Sequence, residues 1–164
     1  MINEAYYLDI FHKAAGKLDK NALHQQGLAV KVGVWIDSVV LKIQKPNWIN
    51  PSDAKPFGNG IFFSIWVSDH TINNKRIYYN IHALKLRELK AYKIQSRQFA
   101  EVFRLQFKPI EKQWPNVSIN FGPLTLMEGW IELDTSNMVN EITRLANNFI
   151  PISPIINDLL NETK

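Results

Sequence analysis

Residues 61–93 read IFFSIWVSDHTINNKRIYYNIHALKLRELKAYK, and the way this stretch folds back on itself decides the architecture. Ile61, Phe63, Ile65 and Val67 alternate with Phe62, Ser64, Trp66 and Ser68, the period of a strand with one buried face. Residues 69–74 form a polar turn cluster, and 76–86 are again rich in β-branched and aromatic residues. With Asn73-Asn74 at the tip, a two-residue turn suits asparagine's tolerance of positive φ. That tip predicts Ile65 opposite His82, Phe63 opposite Leu84 and Ile61 opposite Leu86 on a core face. The second face then carries Phe62, Ser64, Trp66, Tyr79, Lys85 and Arg87.

The same logic extends outward. Leu28, Val30, Val32, Val34 and Ile36 alternate strictly with Ala29, Lys31, Gly33 and Trp35, and a turn at Asp37-Ser38 makes a second hairpin. That turn pairs Ile36 with Val39, Val34 with Leu41 and Val32 with Ile43. Residues 117–121 and 124–133 read as a third hairpin around Gly122-Pro123. A helix over 4–15 is capped by Asn3, with Tyr7, Ile10, Phe11 and Ala14 as its apolar stripe. Residues 19–27 read as a polar connection. Further helices are expected over about 97–108, from about 136 to the break at Pro151, and from Ser153-Pro154 onward. The expectation is one α+β domain over 1–164. It has a single mainly antiparallel sheet of about six strands built from hairpins, with N-terminal, middle and C-terminal helices packed on it.

Composition narrows the chemistry. The chain has 164 residues, 46% hydrophobic and 21% charged, which is enough to bury a core without staples. The absence of cysteine excludes disulfides, thiolate metal sites and cysteine nucleophiles. Histidines at 12, 24, 70 and 82 have no mutual metal-ligand spacing, so neither a metal nor a cofactor is expected. Ser68-Asp69-His70 holds the residue types of a hydrolase triad, but strand neighbours point to opposite faces. Gly58-Asn59-Gly60 is not followed by the GK[ST] of a phosphate-binding loop. No apolar run approaches the roughly 20 residues of a membrane span. The expectation is a cytoplasmic protein without a membrane partner.

Charge is unevenly spread. Residues 75–112 hold ten Lys or Arg against three acids, while 113–164 hold two against six. Aromatic rings followed by cations on one hairpin face are the parts of a single-stranded nucleic-acid platform, where bases stack on rings beside a basic track. The residues of that platform are Phe62, Trp66, Tyr79, Lys85, Arg87, Lys90 and Lys93. The paired carboxylates Glu128 and Glu132 are also complementary to the basic region 85–112, either inside one chain or between two copies, which makes a second copy another candidate partner.

Two alternatives stand beside this reading. Glu88-Leu89-Lys90 is an E-x-K triplet at the end of the hairpin strand, and it resembles that part of the restriction-type nuclease core. The resemblance implies carboxylates holding Mg²⁺ and a lysine orienting water, with Asp53, Glu88 and Lys90 as the catalytic set. Asp69 lies at the other end of the arm, roughly 30 Å away, and cannot join them. The third class is a small-molecule or protein-interaction domain. It would use the irregular loop over 46–60, with Trp48 and Phe57, and the acidic edge of Glu128, Glu132 and Asp134 around Trp130.

Overall fold

The computed structural model of the chain describes residues 2–49 and 59–164. In chain order the helices α1 (Glu4–Gly16) and α2 (Lys20–Gln26) lead into strands β1 (Ala29–Trp35) and β2 (Ser38–Gln44). Strand β3 (Gly60–Val67), helix α3 (Asp69–Asn73) and strand β4 (Arg76–Leu84) follow, then α4 (Ser96–Phe107) and β5 (Thr125–Glu132). Helices α5 (Met138–Phe149) and α6 (Ser153–Asn161) end the described chain. The strands form one five-stranded sheet in the order β1-β2-β3-β4-β5, every pair antiparallel. This is the expected α+β architecture with one strand fewer: residues 117–121 contribute only an isolated bridge between Ser118 and Glu128.

Local chemistry explains most element ends. Asn3 accepts the amide of Tyr6 and starts α1, as its sequence position predicts. Residues 19–27 are helical, not a connection. Asp19 accepts from the amide of Ala22, and Gly27 takes the left-handed conformation (φ 68°) that closes the turn. The β1–β2 tip is a two-residue turn at Ile36 and Asp37, both with positive φ (47° and 59°). It pairs Val34 with Val39 and Val32 with Leu41. This register differs from the expected one by two residues, so the same face stays buried.

The central hairpin differs more. Its tip is not Asn73-Asn74 but a short helix started by a capping box, in which Ser68 and Thr71 bond each other's backbone amides. The strands therefore pair Ile65 with Tyr79, Phe63 with Ile81 and Phe62 with His82. The shift from the expected register is three residues, an odd number, and it turns the whole second arm over. Ile77, Tyr79, Ile81 and Ala83 face the core, and Tyr78, Asn80 and His82 face the other way. Leu84 lines the second face, and Leu86 is buried in the 3-10 turn Leu86–Glu88.

The helices of the described residues pack on one side of the sheet. Every buried apolar helix residue, from Phe11 in α1 to Leu160 in α6, belongs to one cluster with Leu41, Ile65, Ile81 and Met127. At its centre Phe149 of α5 stacks on Phe63 (4.7 Å) and meets Trp114 (4.9 Å), which in turn lies 5.3 Å from Tyr79. Trp48, at the start of the long loop, is fully buried and donates its indole N–H to Asn157 Oδ1 at 3.0 Å. Phe57 and Asp53 lie outside the described residues.

Candidate functional site

The face of the sheet turned away from the helices is where polar and aromatic side chains converge. Among the described residues Val40 and Phe62 are the two buried apolar residues that do not join the main cluster, and both lie on this face. Register arranges the face in rows that run across the strands. One row is polar: Lys31, Lys42, Ser64, Asn80 and Glu128 are successive cross-strand neighbours from β1 to β5. Beside it runs Gly33, Val40, Trp66, Tyr78 and Trp130. Phe62 and His82 flank the polar row on its other side, with ring centres 4.9 Å apart. The result is a polar furrow between two partly aromatic ridges.

At the β1 end the furrow deepens into a cavity of about 440 Å³ lined by Trp35, Lys42, Phe62, Ser64, Trp66 and His82. Trp35 folds back across Gly33, where a Cβ would stand 3.1 Å from the indole, so glycine is what lets the ring lie down. The Lys42 ammonium sits 4.3 Å from the Trp35 ring centre and 4.6 Å from that of Phe62. Such cation–π contacts offset part of the cost of desolvating the charge. Burial, with the charge of Lys31 adding to it, lowers the Lys42 pKa to about 8.

The middle of the furrow is a hydrogen-bond chain. Ser64 donates to Asn80 Oδ1 at 2.6 Å, and Asn80 Nδ2 donates to Glu128 Oε1 at 3.2 Å and to His82 Nε2 at 3.1 Å. The His82 ring also meets the Leu124 backbone. Burial first, then the Lys42 charge, pushes His82 down to about 4 against the opposing Leu124 contact, and the ring is neutral at pH 7. Burial holds the Glu128 carboxyl above its ordinary value, with the Asn80 bond working the other way. Three strand spacings separate Glu128 from Lys42, about 14 Å, too far for an ion pair. Each end of the furrow keeps its own sign.

The expected platform residues scatter on this frame. Phe62 and Trp66 lie on the open face as expected. Tyr79 does not: it is fully buried in the core and donates its hydroxyl to the Pro115 carbonyl at 2.6 Å. Tyr78 takes its place beside Trp66, with ring centres 5.5 Å apart. Lys85, in a left-handed conformation just past β4, and Arg87, Lys90 and Lys93 beyond it are all exposed. Arg104 of the same basic stretch is structural, donating to the carbonyls of Gly122, Thr125 and Leu126. Arg76 lies 3.7 Å above the centre of Trp130. Glu128 and Glu132 do share a side of β5 with Trp130 between them. Glu88 is the exposed last residue of the 3-10 turn Leu86–Glu88 and not part of a strand, and Asp53, its expected partner, is outside the described residues.

Sequence reasoning passed over Trp35, Lys42, Tyr78 and Asn80 as site residues and placed His82 in the core. The signal that would have found them is cross-strand register. Among the described residues no three His, Asp or Glu side chains converge as a metal site, and no helix is long and apolar enough to cross a membrane. Comparison with protein-family models, curated proteins and solved structures finds no match to this chain.

Proposed function

We propose that this protein is a binding module for single-stranded nucleic acid, using the open face of its sheet. One observation carries the reading: a sheet face without helices among the described residues, bearing Trp66 and Tyr78 side by side and the Trp35–Lys42–Phe62 cavity next to them. Bases stack on such rings whatever their identity, each for about 1–3 kcal/mol. Leu84 lines the cavity, and exposed Lys85 and Arg87 follow it in the chain, so a strand leaving the cavity there meets cations for its phosphates.

Fluorescence-anisotropy titration of labelled single-stranded DNA and RNA at two salt concentrations tests the reading. Binding weakens as salt rises, Trp66→Ala raises Kd by about 5- to 150-fold (1–3 kcal/mol), and Lys85→Glu flattens the salt dependence. Absence of binding at low salt, or binding indifferent to Trp66→Ala, refutes it. The cavity beside the rings favours a second reading, a free planar ligand held between Trp35 and Trp66. Saturable binding of a nucleoside monophosphate with no gain for longer strands would support that reading instead.

A further inference from the structure

Stacking on Trp66 and Tyr78 is indifferent to base identity, but the furrow beside those rings is not. We infer that Glu128 reads the Watson–Crick edge of a guanine stacked on the Trp66–Tyr78 pair, an assignment that rests on the nucleic-acid reading above.

The argument is geometric. Tyr78 and Asn80 are two residues apart on β4, as are Trp130 and Glu128 on β5, so ring row and polar row lie about 7 Å apart. A base lying over Tyr78 therefore turns one edge toward Asn80 and Glu128. Arg76 already covers Trp130, which leaves Trp66 and Tyr78 as the stacking surface and makes the Arg76–Trp130 pair its wall. Asn80 contributes no reading of its own, because Ser64 takes its carbonyl oxygen and Glu128 and His82 take its amide protons. Its part is to position Glu128: the bond to Oε1 orients the carboxylate, and Oε2 has no protein partner among the described residues.

A carboxylate offers acceptors only, and of the four bases guanine alone presents two adjacent donors, N1–H and the N2 amine, on its Watson–Crick edge. The pairing is bidentate and charge-assisted, the strongest arrangement open to this side chain. Adenine and cytosine each offer one amine beside a ring acceptor that the carboxylate repels. Uracil and thymine offer one N–H between two carbonyls.

The test uses deoxythymidine oligonucleotides carrying one central dG, dA, dC or inosine, titrated against the full chain and its Glu128→Gln variant. The dG strand binds about tenfold or more tighter than the others, and inosine, which lacks the N2 amine, loses most of that gain. Glu128→Gln abolishes the preference for dG, and an unchanged urea unfolding midpoint shows that the variant is folded. Equal binding of all strands by the unaltered protein overturns the Glu128 assignment and leaves general strand binding standing. A guanine preference that survives Glu128→Gln overturns it as well. Failure of every strand to bind overturns both readings.

Discussion

Gly129→Ala should be among the most damaging single-methyl changes in this protein. Gly129 lies on β5 between Glu128 and Trp130, directly opposite Tyr79 on β4. An added Cβ would stand 2.5 Å from Tyr79 Cζ and 2.9 Å from the carbonyl oxygen of Pro115, the two partners of a buried hydrogen bond. Displacing the Tyr79 ring leaves a buried hydroxyl and carbonyl unpaired, about 1–3 kcal/mol. Crowding the Tyr79, Trp114 and Phe149 cluster adds about 1–3 kcal/mol. The stiffer unfolded chain returns about 0.4–1 kcal/mol. The net expectation is a loss of about 3 kcal/mol, a large part of the 5–15 kcal/mol typical of a folded domain. Urea unfolding followed by tryptophan fluorescence measures it. The decisive measurement is a double-mutant cycle with Tyr79→Phe, which removes the hydroxyl that the new methyl would strike. The double variant should be more stable than the sum of the singles by at least about 1 kcal/mol. A Gly129→Ala cost below about 1 kcal/mol, or strict additivity, would refute the reasoning.

Two further expectations concern the second hairpin and the furrow. Ile36 is 97% exposed and holds a β-branched side chain at φ 47°. Such strain costs on the order of 1–3 kcal/mol, so replacing Ile36-Asp37 by Asn-Gly should raise the stability by about 1–2 kcal/mol in the same urea assay; a loss would contradict the turn assignment. The His82 pKa is about 4 in the fold against about 6.5 unfolded, so the unfolded chain binds the proton first as pH falls. Stability from this group is complete above pH 6.5, is lost as pH falls toward 4, and amounts to about 3 kcal/mol. The stability advantage of the natural chain over His82→Gln should shrink by about that much between pH 7 and 4. A pH-independent difference would mean that His82 takes up its proton as readily in the fold as in the unfolded chain.

Much of the site's chemistry follows from pairing that no local segment specifies. Lys31, Lys42, Ser64, Asn80 and Glu128 are scattered over nearly 100 positions of sequence, and four antiparallel ladders bring them into one row. Within its own strand each reads only as one polar residue on the less apolar face, with nothing local to link it to the others. Together they are a continuous hydrogen-bonding surface.

By itself the sequence determined α1, α4, α5 and α6, the five strands of the sheet and which face of β1, β2 and β3 is buried, because those depend on local caps and on period. Asn3 starts α1, and Leu41, Ile43, Phe63 and Ile65 announce their face by simple alternation. Even an error in the β1–β2 turn was harmless, since a two-residue shift keeps every side chain on its side. β4 is the element that tertiary structure alone decided. Both of its faces, Ile77-Tyr79-Ile81-Ala83 and Tyr78-Asn80-His82-Leu84, carry apolar surface, so period could not choose between them. The choice lay with Phe149, Trp114 and Pro115, far along the chain, which enclose Tyr79 and hold its hydroxyl. With that arm turned, His82 left the core and Tyr78 joined Trp66, and the open face acquired its site.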